Sequence, residues 1–150
     1  MRLIFSTILV IFTLLSFAHT RQYNGQLDKY NISLSTFSYS NGHVQGIYLY
    51  NKFDTPIIIN GKLEGNKLTL IEKNNSGGNT ATLIFNNYDP NSEILIGKWI
   101  ATKGDKQFKI TLTKTFDFDS YDNSSFKQRE LLQSASTKNH YFKLFLSKTT

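Results

Sequence analysis

The stretch His43–Lys73, HVQGIYLYNKFDTPIIINGKLEGNKLTLIEK, decides the fold of this chain. Ile47 and Leu49 alternate with two tyrosines, and in Lys67–Leu70 leucines alternate with a lysine and a threonine. A period of two is typical of a β-strand whose two faces differ. Gly65-Asn66 lies between apolar runs and suits a two-residue hairpin turn, because both residue types tolerate positive φ. The stretch therefore predicts antiparallel strands joined by tight turns.

The same alternation continues on both sides of this stretch, from Asn31 to Thr113, with a further turn signal at Asn41-Gly42. We predict eight strands, near residues 31–38, 43–51, 56–63, 67–73, 80–87, 93–101, 106–114 and 139–147. The predicted fold class is all-β: an antiparallel eight-strand meander that closes into a small barrel or forms a strongly curved sheet. Closure would remove the two sheet edges, and a two-sheet sandwich is the open alternative.

Residues 116–138 interrupt the alternation. This insertion begins with acidic and turn-forming residues and continues into Ser125–Ala135, SFKQRELLQSA, which is compatible with one short helix capped by Asn123 or Ser124. Long insertions between late strands often lie across a barrel end or along its side. We expect the 116–138 insertion to occupy one of those places.

The N-terminal residues 1–18 have the features of a cleavable signal peptide. Arg2 supplies a positive start, Leu3–Leu15 is almost wholly apolar, and Ser16-Phe17-Ala18 places small residues where a signal peptidase cleaves. An uncleaved membrane anchor is the alternative, but the apolar run is shorter than the roughly 20 residues that span a bilayer. We therefore expect a secreted or periplasmic protein, not membrane-spanning after cleavage.

Residues 19–150 have a length typical of one domain, and we predict that they form a single β-barrel-like domain. The chain has no cysteine, so no disulfide holds the domain together. The net charge is +6 at pH 7, but the lysines are scattered among acidic residues along the strands. A nucleic-acid site usually clusters its basic residues, so we expect no nucleic-acid partner.

Five segments together resemble a group of small exported bacterial proteins: Gly46–Tyr50, Ile59–Leu63, Lys67–Leu70, Gly97–Trp99 and Phe108–Ile110. The group shares a tyrosine-rich first hairpin, an I-x-G strand, an L-x-L-x-E strand, a G-x-W strand and a closing F-x-[IL] strand. The resemblance implies a lipocalin-like or avidin-like barrel. In lipocalins the G-x-W belongs to the opening strand, whereas here it lies in about the sixth predicted strand. The resemblance implies no ligand residues.

The sequence carries no recognisable catalytic, metal or cofactor signature. There is no G-x-S-x-G motif, and Glu64 and Glu72 are expected at outward strand positions. No histidine has a partner at the spacing of a zinc site. The acidic positions Asp117, Asp119 and Asp122 lack the glycine and the final acid of a calcium loop. We therefore expect no enzyme, no metal site and no cofactor.

The predicted placement of the aromatic residues is the one feature of the sequence that an ordinary β-domain does not require. One face of the sheet is expected to carry Ile47, Leu49, Leu68, Leu70, Ile110, Leu112, Phe142, Leu144 and Leu146. The opposite face then receives Tyr48, Tyr50, Ile58, Ile84, Trp99 and Phe145. A half-solvated sheet should be mainly polar there. Three interpretations of this second set remain open. The 116–138 insertion covers these residues, or these residues fill the barrel, or they form a ligand-binding surface.

We expect a non-enzymatic binding protein in which Tyr48, Tyr50 and Trp99 contact a small apolar molecule, a glycan or an envelope protein. The alternative is a proteinaceous inhibitor or immunity-type protein that binds an envelope hydrolase or toxin. It would act through hairpin loops such as Ser40–His43 or Asn74–Asn79. The S-G-x-x-Y loop of lysozyme-inhibitor barrels is not present.

Overall fold

The computed structural model describes residues 18–53, 55–118, 129–136 and 141–147. Within these residues the chain forms ten β-strands. They are β1 Ala18–Leu27, β2 Tyr30–Tyr39, β3 His43–Tyr50, β4 Ile57–Glu64, β5 Lys67–Lys73, β6 Asn79–Phe85, β7 Ile94–Ala101, β8 Gln107–Phe118, β9 Arg129–Ser136 and β10 Tyr141–Ser147.

Strands β1 to β8 form a closed antiparallel barrel in which every strand pairs with its neighbours in sequence. The ring closes between β1 and β8, with a ladder that runs from Thr20 opposite Phe118 to Leu27 opposite Ile110. The turns predicted at Asn41-Gly42 and Gly65-Asn66 join β2 to β3 and β4 to β5, and both glycines have positive φ. The all-β meander and its closure are thus confirmed.

The identity of the eighth barrel strand was predicted wrongly. The strand expected at 139–147 exists as β10, but it pairs with β9 in a separate two-stranded sheet. The barrel instead takes β1, for which no strand was expected. The residues of β1 that face inward are Arg21, Tyr23, Gly25 and Leu27. Because two of these four are not apolar, β1 lacks the apolar alternation that marks the other strands.

The expected short helix in the 116–138 insertion is not confirmed. Residues Arg129–Ser136, where its second half was expected, form strand β9, and β8 continues to Phe118. The first half of the expected helix falls in residues 119–128, which lie outside the described residues. Cross-strand pairing of β9 with β10 satisfies the backbone there, which a local helical preference could not anticipate.

Large apolar side chains fill the barrel interior. The largest fully buried ones are Tyr23, Leu27, Ile32, Leu34, Tyr48, Ile59, Leu68, Leu70, Leu83, Phe85, Ile110 and Leu112. They come from seven of the eight strands and form one continuous core. An eight-stranded barrel is just wide enough for side chains to fill it, and these side chains occupy the interior of this one.

The assignment of faces in β3 is a second correction. Tyr48 lies inside, opposite Leu34 of β2, whereas Ile47 and Leu49 lie outside and form a small buried pair separate from the core. The tyrosines therefore share a face with Leu68 and Leu70 and do not oppose them. Ile47 and Leu49 are buried on the exterior near β1 and β2, the strands that β9 contacts. Alternation within one strand does not say which face is inward.

The barrel end at the start of β1 and the end of β8 carries a buried charged cluster. The Arg21 Nε lies 3.2 Å from Asp117 Oδ2, and the Lys114 Nζ lies 3.4 Å from the same oxygen. Burial lowers the pKa of Arg21, but the neighbouring Tyr88 and Asp117 raise it by more. Because both cations are buried, the shared carboxylate is what makes their burial tolerable. We call this the charged end.

Gly97 marks a tight contact between β6 and β7. A Cβ atom at this position would collide with the ring of Phe85 and the carbonyl oxygen of Ile84. Phe85 is fully buried, so its ring has no free direction in which to move. The absence of a side chain at Gly97 is therefore required for Phe85 to enter the core.

We predict that Gly97→Ala lowers the free energy of unfolding by about 1–3 kcal/mol, because the added methyl overpacks the Phe85 site. Urea unfolding followed by circular dichroism measures the change. Ile96→Thr, one residue earlier at an exposed position, is the control and should change stability by less than about 0.5 kcal/mol. Equal effects of the two substitutions would contradict the packing argument.

Candidate functional site

The barrel end opposite the charged end is rich in aromatic side chains. It is formed by the β1–β2 turn and by the loops that follow β3, β5 and β7. The aromatic residues on or next to it are Tyr30, Tyr48, Tyr50, Phe53, Trp99 and Phe108. We call this group the aromatic end. It combines five half-buried or exposed rings with a packed floor of buried side chains, to which Tyr48 belongs.

The carboxylate of Glu72 organises the aromatic end. Its Oε2 accepts hydrogen bonds from the Tyr48 hydroxyl at 2.5 Å and from the Trp99 indole Nε1 at 3.0 Å. Its Oε1 accepts one from the Thr80 hydroxyl at 2.7 Å. Three donors from three different strands thus converge on one carboxylate, which offsets the cost of placing it inside the barrel.

Burial and the contact with Glu72 shift the tyrosine acidities. Burial raises the pKa of Tyr48 far above its ordinary range, and the hydrogen bond to Glu72 raises it further. The pKa of Tyr50 is also raised, mainly by burial. Tyr48 therefore keeps its proton in the folded protein and remains a hydrogen-bond donor to Glu72.

The rings at this end contact one another in two groups. The Trp99 indole stacks on the Phe108 ring with centroids 5.4 Å apart and planes 28° apart. Tyr50 makes edge-to-face contacts with both Tyr48 and Tyr30, each with centroids 5.8 Å apart. These are the preferred geometries of aromatic pairs, so the rings hold one another in fixed orientations.

The charge around the aromatic end is mostly positive. The Lys29 Nζ lies 5.5 Å from the centroid of the Tyr30 ring, and the Lys52 Nζ lies 5.7 Å from that of Phe53. The surrounding turns and strand ends add the sequence positions Lys73, Lys103 and Lys106. The acids described there besides Glu72 are Asp28 and Asp105. A ligand with anionic groups at its edges would find complementary charge here.

The structure brings the three predicted site residues to this same end. Tyr48 is only 1% exposed, so it belongs to the packed floor, whereas Tyr50 and Trp99 are half-buried and reach the surface. Ile58 and Ile84, predicted on the same face, lie on the barrel exterior. Phe145, the last member of that face, has a side chain outside the described part of the chain.

Sequence reasoning missed Glu72, Thr80 and Phe108. Glu72 was expected at an outward position, which is wrong: it follows Leu68 and Leu70 at a spacing of two and shares their inward face. The inward position of Glu72 could therefore have been predicted from its spacing in the sequence. Phe108 likewise precedes Ile110 at the same spacing. The convergence of Glu72 with Trp99 was not readable, because it depends on cross-strand register.

The two histidines among the described residues, His19 and His43, lie apart from each other. His19 lies at the charged end, with its Nδ1 3.3 Å from Arg21 Nη2, and His43 stacks on Tyr39 in the β2–β3 hairpin. Across the described residues, no group of three histidine, aspartate or glutamate side chains is placed to hold a metal ion. No helix among the described residues is long and apolar enough to cross a bilayer.

Comparison with known proteins gives no relative for this chain. No protein-family model, no curated protein and no solved structure matches it. The eight-stranded antiparallel barrel is of the kind found in lipocalin-like folds, but no comparison identifies the group of exported proteins that the sequence resembles.

The raised pKa of Tyr48 predicts a loss of stability at alkaline pH. Below pH 10 the folded and unfolded chains both keep the phenol proton, whereas above it the unfolded chain releases a proton that the folded chain retains. The free energy of unfolding should therefore fall as pH rises above 10, by up to about 1.4 kcal/mol per pH unit for each such tyrosine. Tyr23, also buried with a raised pKa, contributes in the same direction.

Urea unfolding of the wild type and of Tyr48→Phe between about pH 8.5 and about pH 11 measures this slope. The variant should lose about 1–2 kcal/mol at the lower pH, because Glu72 loses a donor, and should show a shallower decline above pH 10. Tyr39→Phe removes one phenol hydroxyl at the opposite end and is the matched control. A decline in Tyr48→Phe as steep as in the wild type would contradict the assignment.

Proposed function

We propose that this protein is an exported, non-enzymatic binding protein whose ligand contacts the aromatic end of the barrel. The observation that carries the proposal is the fixed Trp99 indole. Its Nε1 donates to Glu72, one face stacks on Phe108, and the ring is still half-exposed. An aromatic ring held in place before binding loses little conformational freedom when a ligand stacks on it.

The packed floor beneath the rings favours a ligand that lies across the end and does not enter the barrel. Tyr48, Leu70 and Leu83 are fully buried there and leave the core continuous. A ligand of this kind needs a flat apolar face for Trp99 and Tyr50 and polar or anionic edges for the surrounding lysines. Among a small apolar molecule, a glycan and an envelope protein, a glycan has both properties.

Export is supported by the match between the leader and the fold. The predicted signal peptide ends at Ala18, and β1 begins at that residue. Cleavage after Ala18 would remove one residue from a ten-residue strand and leave the pairing of His19 to Leu27 with β2 in place. The mature chain would then reach the envelope or the medium with its barrel strands complete.

The test is a titration of the fluorescence of Trp99, the single tryptophan, with neutral and uronic-acid oligosaccharides. We expect the emission to change with an acidic oligosaccharide, and calorimetry to show that Trp99→Phe and Tyr50→Ser each weaken binding by about tenfold. Tyr39→Ser, at the opposite end, should leave affinity unchanged. If no oligosaccharide or apolar dye shifts the emission, or if Tyr39→Ser weakens binding equally, the proposal is wrong.

A second candidate function is inhibition of, or immunity to, another envelope protein, and the β5–β6 hairpin favours it. The Asn74 side-chain oxygen accepts hydrogen bonds from Ser76 N at 3.0 Å and Gly78 N at 2.8 Å. Two further backbone hydrogen bonds join Asn74 to Gly77 and Gly78. The loop is exposed yet held in one conformation, as an inhibitory loop needs to be. The Ser40–His43 hairpin lies at the other end of the barrel.

Affinity capture from an envelope extract, with the mature chain as bait, separates the two functions. For the inhibitor function, we expect one protein to be retained by the wild type and by Trp99→Phe but lost with Asn74→Ala, which removes the acceptor that holds the loop. Retention that depends on Trp99 and not on Asn74 would contradict it. Circular dichroism of each variant checks that the barrel remains folded.

A further inference from the structure

The exterior of β6, β7 and β8 carries a groove of about 980 Å³, which meets the aromatic end at Phe108. The rest of its apolar lining comes from four isoleucines at outward strand positions, Ile84, Ile94, Ile96 and Ile100. Ile94 and Ile96 are 55% and 58% exposed, so this surface is open to solvent. Single exposed apolar residues are ordinary, but a contiguous set lining a concave surface indicates a binding site.

Three lysines line the same groove, and no acidic residue does. Lys98 lies directly opposite Lys109 in the β7–β8 ladder, and Lys67 comes from β5. Like charges directly opposite each other on neighbouring strands destabilise a sheet. Nothing in the packing of the barrel requires this arrangement, because all three side chains are exposed. Its charge is complementary to an acidic ligand.

The groove also borders a region in which β6 and β7 are not paired in the described ladders. The ladder between these strands covers only Ala81–Ile84 opposite Lys98–Ala101. In the described barrel ladders, the first half of β7, Ile94–Gly97, therefore pairs with β8 alone. Asn86 and Asn87, which follow β6, line the groove on that side. An extended chain in the groove would find polar groups beside it as well as apolar side chains.

We infer that this lysine–isoleucine groove binds an extended acidic segment of a partner protein. Ile94 to Ile100 spans six residue steps, or about 20 Å, which is the length of a strand-like segment of about seven residues. Isoleucines flank the central Lys98–Lys109 pair on both sides along β7, so the matching segment has a central acidic side chain with apolar ones on either side. Apart from Phe108, this site lies on a different face from the aromatic end, and it does not depend on the proposed function.

The test uses a fluorescein-labelled peptide of about eight residues in which every second residue follows the order valine, glutamate, valine, with serine between them, so that these side chains share one face of an extended chain. The peptide is titrated with the protein and followed by anisotropy. We expect binding that weakens by about tenfold or more between about 0.05 and about 0.5 M salt, because three ammonium groups supply the attraction. The same peptide with lysine in place of glutamate should not bind. Trp99→Phe should leave the affinity for this peptide unchanged, because Trp99 does not line the groove, and this separates the site from the aromatic end.

Substitutions with matched controls locate the site. Lys98→Glu and Lys109→Glu should each weaken binding by about tenfold, and Ile96→Ser by about threefold or more. Lys62→Glu and Ile58→Ser make the same changes at exposed outward positions of β4, outside the groove, and should leave affinity unchanged. All five positions are exposed, so the variants should fold.

Three outcomes would overturn the inference. Equal binding of the glutamate and lysine peptides would show that binding does not depend on the charge of the peptide. Equal losses in the groove variants and in the β4 controls would show that the groove is not the site. Binding of dodecanoate with the groove-variant profile, with no binding of the glutamate peptide, would make the groove a site for anionic amphiphiles and not for a protein segment.

Discussion

The hydrogen-bonded ladder between β1 and β8 is the constraint on which the other features depend. Without it, both strands would be open edges and the sheet would have no fixed curvature. With it, eight strands enclose one core, and every strand has one face inward and one outward. The ladder also brings Arg21 of β1 beside Asp117 of β8, which creates the charged end.

Closure gives the barrel two ends of opposite chemistry. At the charged end, the Asp117 carboxylate lies between two buried cations. At the aromatic end, the Glu72 carboxylate accepts hydrogen bonds from three neutral donors in the described residues, which belong to Tyr48, Thr80 and Trp99. One carboxylate thus stabilises buried positive charge, and the other orients aromatic rings. Because the rings are fixed but only partly buried, the aromatic end is the better candidate for recognition.

The exterior of the barrel also differs from one side to the other, in how far its apolar side chains are buried. On β3, Ile47 and Leu49 are buried outside the core, whereas Ile94 and Ile96 on β7 are exposed. Both pairs are branched aliphatic residues at a spacing of two. The two sides also differ in their surroundings: β9 contacts β1 and β2, whereas the β7 side has a groove lined by isoleucines and lysines. The two sides can therefore serve different roles.

The sequence by itself determined that the chain is all-β, where seven of the eight barrel strands lie and which residues turn between them. Period-two alternation and the Asn-Gly and Gly-Asn turns are local signals, and a strand or a hairpin is a local structure. The sequence also singled out Tyr50 and Trp99, because aromatic residues at strand positions stood out by type alone. Its prediction of Glu72 as outward failed although the alternation with Leu68 and Leu70 contained the answer.

Only the tertiary structure decided that β1 and not β10 completes the barrel, that Tyr48 faces inward, and that Glu72 meets Trp99. Each of these depends on register or closure between segments far apart in the chain, and a one-residue shift of register would reverse every face. Glu72 and Trp99 are 27 positions apart, and the sequence between them carries no trace of their contact, because β6 and the curvature of the sheet bring them together. Local patterns fix strands, whereas long-range pairing fixes what those strands enclose.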